Sequence, residues 1–182
     1  MIFKEAEFQL KDGRTALLRS PCEKDAAEML QFIITASGET DYLMRYPEEW
    51  AQTSLEQEIA FINADYYNPY GMMISCIVDG NIAGNCQISF HTGLKDRHRA
   101  SVAIAILQEY WNLGIGTKMF EEMFRIASER GVRQIELGFI EGNSRARALY
   151  EKMGFRITGV KPDAIQWKDG TFANEYMMLK RL

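Results

Sequence analysis

The segment EYWNLGIGTKMF, Glu109–Phe120, joins two different periodicities. Upstream, SVAIAIL (Ser101–Leu107) is apolar and rich in β-branched residues, the pattern of a strand buried on both faces. Downstream, Thr117–Glu129 places Met119, Phe120, Met123, Phe124 and Ala127 at spacings of 3 and 4 residues, which predicts an amphipathic helix ended by Arg130-Gly131. A strand feeding Gly114-Ile115-Gly116 and then a helix can aim several backbone N–H groups and the helix dipole at one spot, with no Cβ in the way. Such a spot attracts an anion. The same residues serve equally well as a tight corner with no ligand. Two nucleotide motifs are excluded. Gly116-Thr117-Lys118 reverses the Gly-Lys-Ser/Thr order of a P-loop, and Met119 stands where a dinucleotide fingerprint needs its third glycine.

Working outward, a strand is expected at Thr15–Arg19, stopped by Pro21, then a helix from Glu23 to Thr35. SGETDYLMRYPEEW is a loop or broken helix, and a second helix starts at the Thr53/Ser54 cap and runs to about Tyr67. MMISCIV and NIAGNCQISF flank Asp79-Gly80 and form a hairpin. QIELGFI is a further strand, Ser144–Met153 a helix stopped by Gly154, and the tail makes two strands around Lys168-Asp169-Gly170. The order predicts an α+β fold, a mixed sheet with helices on its faces, in a single domain spanning residues 1–182.

Composition narrows the function. The 21 Lys+Arg against 25 Asp+Glu give a net charge of -4, which disfavours nucleic acid or an anionic membrane as the main partner. No run reaches the roughly 18 apolar residues of a spanning helix. Cys22, Cys76 and Cys86 are odd in number and without a Cys-x-x-Cys pair, so neither a disulfide framework nor a metal site is suggested, and a cytoplasmic location fits.

NSRARALYEKMGF adds the second motif. On a helix starting near Asn143, seven residues make about two turns, so Asn143 and Tyr150 share a face. W-N-L-G-I-G-T after a hydrophobic strand, followed after a helix and a strand by N-x-x-A-x-x-x-Y-x-x-x-G-F, resembles the GNAT superfamily of acetyl-CoA-dependent N-acetyltransferases. The resemblance spans about Met72 to Phe155 and implies a central, mostly antiparallel sheet whose two parallel middle strands splay to admit the cofactor.

It also implies roles. The backbone of Asn112, Leu113, Gly114, Ile115, Gly116 and Thr117 would hold the pyrophosphate of acetyl-CoA. The strand carrying Ile104, Ile106 and Leu107 would pair with the pantetheine arm, with an N–H near Ile106 for the oxyanion, and Asn143 would hydrogen-bond that arm. Tyr150 would be the proton donor to the leaving thiolate, a phenol of ordinary pKa about 10 being protonated at neutral pH. Where the family commonly has Gln or Arg at the start of the loop, this chain has Trp111.

The acceptor side is less defined. The strand glutamate of many family members is missing from SVAIAIL, so the base must come from elsewhere or act through water, and Glu39 and Asp41 are the first candidates, against the plainer role of solvating or capping a loop. His91 and His98 are expected at the surface. Tyr42, Tyr46, Trp50, Tyr66, Tyr67 and Tyr70 either line an acceptor pocket or simply pack. Arg145 and Arg147 belong to a solvated helix face or reach phosphates, while Met119, Met123 and Phe124 are core. The expected activity is transfer of acetyl to a primary amine, a small molecule or a peptide, by direct attack and without a metal. A non-catalytic acyl-CoA sensor is the other reading, and the C-terminal hairpin offers a route to a homodimer.

Overall fold

The computed structural model describes residues 1–182. Its strands are β1 (Ala6–Gln9), β2 (Thr15–Arg19), β3 (Gly71–Val78), β4 (Asn81–Phe90), β5 (Arg99–Ile106), β6 (Gln134–Ile140), β7 (Arg156–Gln166) and β8 (Phe172–Arg181). Helices are α1 (Ala26–Gly38), α2 (Pro47–Trp50), α3 (Leu55–Tyr66), α4 (Ile115–Glu129) and α5 (Ser144–Lys152). The strands form one sheet in the order β1-β2-β3-β4-β5-β6-β8-β7. Only β5 and β6 run parallel, the mixed sheet the sequence predicts. No helix is long and apolar enough to cross a membrane.

Most elements follow from local chemistry. Ser54 caps α3, its Oγ accepting from Gln57 N–H at 3.3 Å while Gln57 Oε1 accepts from Ser54 N–H at 2.8 Å, a reciprocal box that stabilises the helix by about 1 kcal/mol. The β3–β4 hairpin turns on Asp79 (φ 51°) and Gly80 (φ 85°), both in the left-handed region that a two-residue turn needs.

Three expectations change. The sequence shows no signal for β1, a strand of four residues that alternates half-buried and exposed and takes its place only by pairing with β2. The helix expected from Glu23 splits into a 3-10 turn (Glu23–Asp25) and α1, because Asp25 turns back to accept from Cys22 N–H at 2.8 Å and binds Arg19 through both oxygens, at 2.6 and 2.7 Å. In β5, Ala100 and Val102 are buried as expected, but Ala103 is exposed and Ile104, Ala105 and Ile106 are half-buried. The parallel ladder to β6 engages the start of each strand, Arg99, Ala100 and Ser101 against Gln134, Ile135 and Glu136, while β5 runs on to Ile106 and β6 to Ile140. The five residues of β5 beyond the ladder keep a β-like sequence without full burial.

The chain gathers into two compact units that share the continuous β5 and α4: Met1–Ser89 with Ala103–Met119, and Phe90–Val102 with Phe120–Leu182. In the first, α1 and α3 pack on one another and α3 on β3, over a core that includes Leu18, Ile62, Ile74 and Ile88, each at most 1% exposed. In the second, β6 pairs with β8 and β8 with β7, and Phe120, Met123, Ile135, Phe155 and Met178 are buried. Burying each such side chain stabilises by about 1.5–3 kcal/mol.

Candidate active site

The loop after β5 is held from both sides by its own backbone. Leu107 N–H donates to Ala83 O at 3.0 Å, Trp111 N–H to Gln108 O at 3.0 Å, and Leu113 O accepts from Lys11 N–H at 3.1 Å. Trp111 adds a side-chain tie, its indole Nε1–H donating to Ile106 O at 2.7 Å and stapling the loop to the strand. Asn112 has φ 66° and Gly114 φ 100°. At Gly114 that conformation strains any L side chain, and no protein atom lies within 4 Å of where a Cβ would stand. The backbone there faces open ground. The helix begins at Ile115, two residues before the Thr117 expected, and Lys118 N–H donates to Gly114 O at 3.0 Å, so the N–H groups of Ile115 and Gly116 belong to the first turn, which has no intrahelical carbonyl to meet.

Strand β5 presents its backbone in alternation. The Leu107 bond to Ala83, at one end, and the His91 N–H bond to Arg99 O at 3.1 Å, at the other, set β5 antiparallel to β4. Odd-numbered residues therefore point their amide groups toward β4, and those of Ile104 and Ile106 point away from it. Leu107, expected among the residues pairing with the pantetheine arm, gives its N–H to β4 instead. Gly84 permits the close approach of the two strands, since a Cβ there would meet Ile106 Cγ1 at 3.0 Å and Ala105 O at 3.1 Å.

Asn143 and Tyr150 take their places on α5. Asn143 is its N-cap, Oδ1 accepting from Ala146 N–H at 3.1 Å, a role the residue type signals but the sequence reading did not assign. Tyr150 is 8% exposed, ringed by Phe120, Phe139 and Phe155 at centroid distances of 5.7, 6.2 and 6.2 Å. Burial pushes its phenol up to about 12, above the ordinary value expected from sequence. Arg147 pairs with Glu151 at 2.8 Å on the exposed face of the same helix.

The carboxylates expected on the acceptor side differ from one another. Glu39, the C-cap of α1, is engaged twice by Gln108: its Oε2 accepts from Gln108 N–H at 2.7 Å and its carbonyl from Gln108 Nε2 at 2.6 Å. It thereby ties the end of α1 to the end of β5. Asp41 is exposed in the following turn. Of the aromatics, Trp50 lies under the Arg45 guanidinium at 3.9 Å, while Tyr67 and Tyr70 are exposed. Ser37 Oγ and Trp50 Nε1 are shielded from solvent without a protein partner.

One cluster has no counterpart among the sequence expectations. His98 is exposed as expected, but His91 is half-buried, its Nδ1 3.1 Å from Asp96 Oδ2 and its Nε2 3.2 Å from both Ser101 Oγ and Glu136 Oε1. Arg99 Nη2 donates to Glu136 Oε2 at 2.6 Å. No sequence spacing announces this group, because it is assembled by the β4–β5 turn and the β5–β6 ladder together. No group of three or more His, Cys, Asp and Glu side chains is arranged to hold a metal ion.

Comparisons with known proteins agree with this geometry. Residues 36–155 match the model of the acetyltransferase (GNAT) family. The chain is 29% identical to the GNAT-family acetyltransferase of Streptococcus pneumoniae, whose crystal structure it matches with a TM-score of 0.83 over 92% of this chain and 99% of that one. It shares the fold of yncA, a putative acetyltransferase from Salmonella typhimurium solved with acetyl-CoA, at TM-score 0.75 and 16% identity over 91% of this chain and 92% of that one. An uncharacterized Bacillus subtilis protein, YxbD, is 26% identical over 66% of this chain and 70% of its own length. The family model covers about two thirds of the sequence, and the chain belongs to the GNAT family of acetyltransferases.

Proposed function

We propose that the protein transfers the acetyl group of acetyl-CoA to a primary amine by direct attack, both reactants being bound at once. The open, glycine-shaped loop at Asn112–Thr117 carries this reading, because it suits a group rich in phosphate oxygens and has no room-filling side chain over Gly114. Acetyl-CoA supplies an activated thioester. The backbone of Leu113, Gly114, Ile115, Gly116 and Thr117 binds the pyrophosphate, the outward amide groups of Ile104 and Ile106 pair with the arm, and Ile106 N–H stabilises the oxyanion. Asn143 donates its amide NH2 to the arm.

Tyr150 acts at the sulfur. A phenol pushed up to about 12 by burial is a weaker acid than a thiol, for which about 8.5 is ordinary, so it serves first as a fixed hydrogen-bond donor to the sulfur as negative charge develops there. The engaged Glu39 holds α1 against β5, and exposed Asp41 adds negative charge that favours an ammonium-bearing acceptor. The unmet polar atoms of Ser37 and Trp50 suit a polar acceptor.

The test is thermal unfolding with acetyl-CoA, desulfo-CoA, ATP and NAD side by side. Ligand at 100 times its dissociation constant adds about 2.7 kcal/mol, a rise of several degrees in a domain of this size. A rise with both CoA ligands and not with NAD is expected. No rise with either CoA ligand refutes the reading.

A further inference from the structure

We propose that His91 is the acceptor of the proton lost by the attacking amine, with Ser101 as the relay and Asp96 and Glu136 as the groups that receive the charged ring. The inference rests on the acetyl-transfer reading and supplies the base that the acid-free strand β5 lacks. Four observations carry it. The imidazole stands between two carboxylates from different elements, Asp96 on the β4–β5 turn and Glu136 on β6. Ser101 Oγ lies 3.2 Å from His91 Nε2 and 3.4 Å from Glu136 Oε1. Ser101 and Glu136 are partners in the parallel ladder at the point beyond which β5 becomes half-exposed. Ser101 is also three residues, about 10 Å, upstream of Ile104 and five residues, about 16 Å, upstream of Ile106 on the same strand, so water links it to an amine held at those amides.

Polar satisfaction gives the cluster its direction. A neutral imidazole that donates Nδ1–H to Asp96 turns its Nε2 lone pair toward Glu136 Oε1, leaving two acceptors 3.2 Å apart unless Ser101 intervenes with its hydroxyl proton. Once protonated, the ring donates to a carboxylate at each nitrogen. The charges facing it then sum close to zero, since Asp96 and Glu136 are met by the imidazolium and by Arg99, which holds Glu136 Oε2 at 2.6 Å. The cluster is therefore built to take up one proton. Asp96 Oδ1 and Arg99 Nε, both shielded from solvent, have no protein partner, so polar capacity remains in the cluster for an acceptor or its water.

The step balances. An N–H bond of the substrate ammonium breaks, its electron pair stays on nitrogen, water passes the proton to Ser101 Oγ as the hydroxyl's own proton passes to His91 Nε2, and the freed lone pair attacks the acetyl carbon. No further co-reactant is needed. General acid–base assistance of this kind contributes roughly 10²–10⁴-fold.

The test uses the full chain with acetyl-CoA and a panel of spermidine, free amino acids and short peptides, following thiol release from pH 6.5 to 9.5. For H91Q the account expects an unchanged acetyl-CoA Kd by calorimetry and a fall in kcat/KM of roughly 100-fold at pH 7 that shrinks as pH rises, because more of the amine is then already deprotonated. S101A shows the same pH-dependent pattern with a smaller loss, and added imidazole restores activity to H91G. A loss equal at every pH, or accompanied by weaker acetyl-CoA binding and no imidazole rescue, overturns the proposal in favour of a structural role, as does undiminished H91Q activity. If no amine of the panel raises thiol release by the wild-type protein, the acetyl-transfer reading itself fails, and this inference with it, whatever the variants do.

Discussion

The two ends of β5 are built from different materials. After Ile106 the chain offers backbone: Asn112 and Gly114 at positive φ, the first turn of α4, and a tryptophan that holds the loop by a bond to Ile106 O. Before Val102 it offers ionisable side chains, His91, Asp96, Arg99 and Glu136, gathered from three stretches of sequence. Backbone amides neither titrate nor depend on which side chains they carry, so an anion held at the first end would be held alike at every pH and lost only if the geometry failed. The second end acts through individual side-chain atoms and fails one atom at a time. A strand placed between them can separate holding a cofactor from moving a proton.

The largest expected effect is at the backbone end. Forcing a Cβ onto φ 100° by G114A strains the loop, so acetyl-CoA affinity falls at least 10-fold, about 1.4 kcal/mol, equally from pH 6 to 9. Calorimetric titration across that range checks it, and a pH-dependent loss would blur the contrast between the ends.

Next is Tyr150, which belongs with neither. Y150F lowers kcat by roughly 10- to 100-fold while leaving the acetyl-CoA Kd within about 2-fold. Because the phenol is pushed up to about 12, rate profiles of the wild type show no alkaline loss traceable to Tyr150 below pH 10. An alkaline limb below that value which disappears in Y150F would contradict this placement.

Glu39 sharpens the assignment of the base. Its oxygens accept from Gln108 and tie α1 to β5, so E39Q, which keeps an acceptor, retains activity within about 3-fold, whereas E39A lowers stability by about 1–2 kcal/mol. Steady-state rates and urea unfolding separate these outcomes. A 100-fold loss in E39Q at unchanged stability would move the base from His91 to Glu39.

The smallest effect guards the pH arguments. Glu58 is 5% exposed on α3 and its carboxyl is raised by burial, while Asp25 is lowered, first by its hydrogen bonds from Arg19. A raised carboxyl favours the fold below its unfolded pKa, and that advantage is lost as pH rises through its folded pKa. A lowered one favours the fold above its unfolded pKa, and that advantage is lost as pH falls through its folded pKa. E58Q is therefore more stable than wild type near pH 8 with the difference closing toward pH 4, and D25N is less stable near pH 7 with the difference closing in acid. Thermal unfolding across pH reads both, and allows stability losses to be subtracted from the rate profiles.

How much of this was legible follows the same division. The loop at Gly114, the hairpin at Asp79-Gly80 and the Ser54 cap are dictated by residues adjacent in sequence, where φ and hydrogen-bond needs act locally. Tyr150 could be placed by helical spacing, but its raised phenol could not, since that depends on Phe120, Phe139 and Phe155 closing around it. The His91 cluster was illegible for a stronger reason: Glu136 meets His91 only through the register of β5 on β6, and a shift of one residue would turn it to the other face. Glu39 was noticed for its charge and found in a hydrogen bond to a residue 69 positions away.

The most direct measurement of the division along β5 is calorimetric titration of acetyl-CoA into the wild type, G114A and H91Q. The account predicts saturable binding to the wild type, the same Kd for H91Q, and a Kd at least 10-fold weaker for G114A. Equal affinity in all three proteins, or no binding to the wild type, would contradict it.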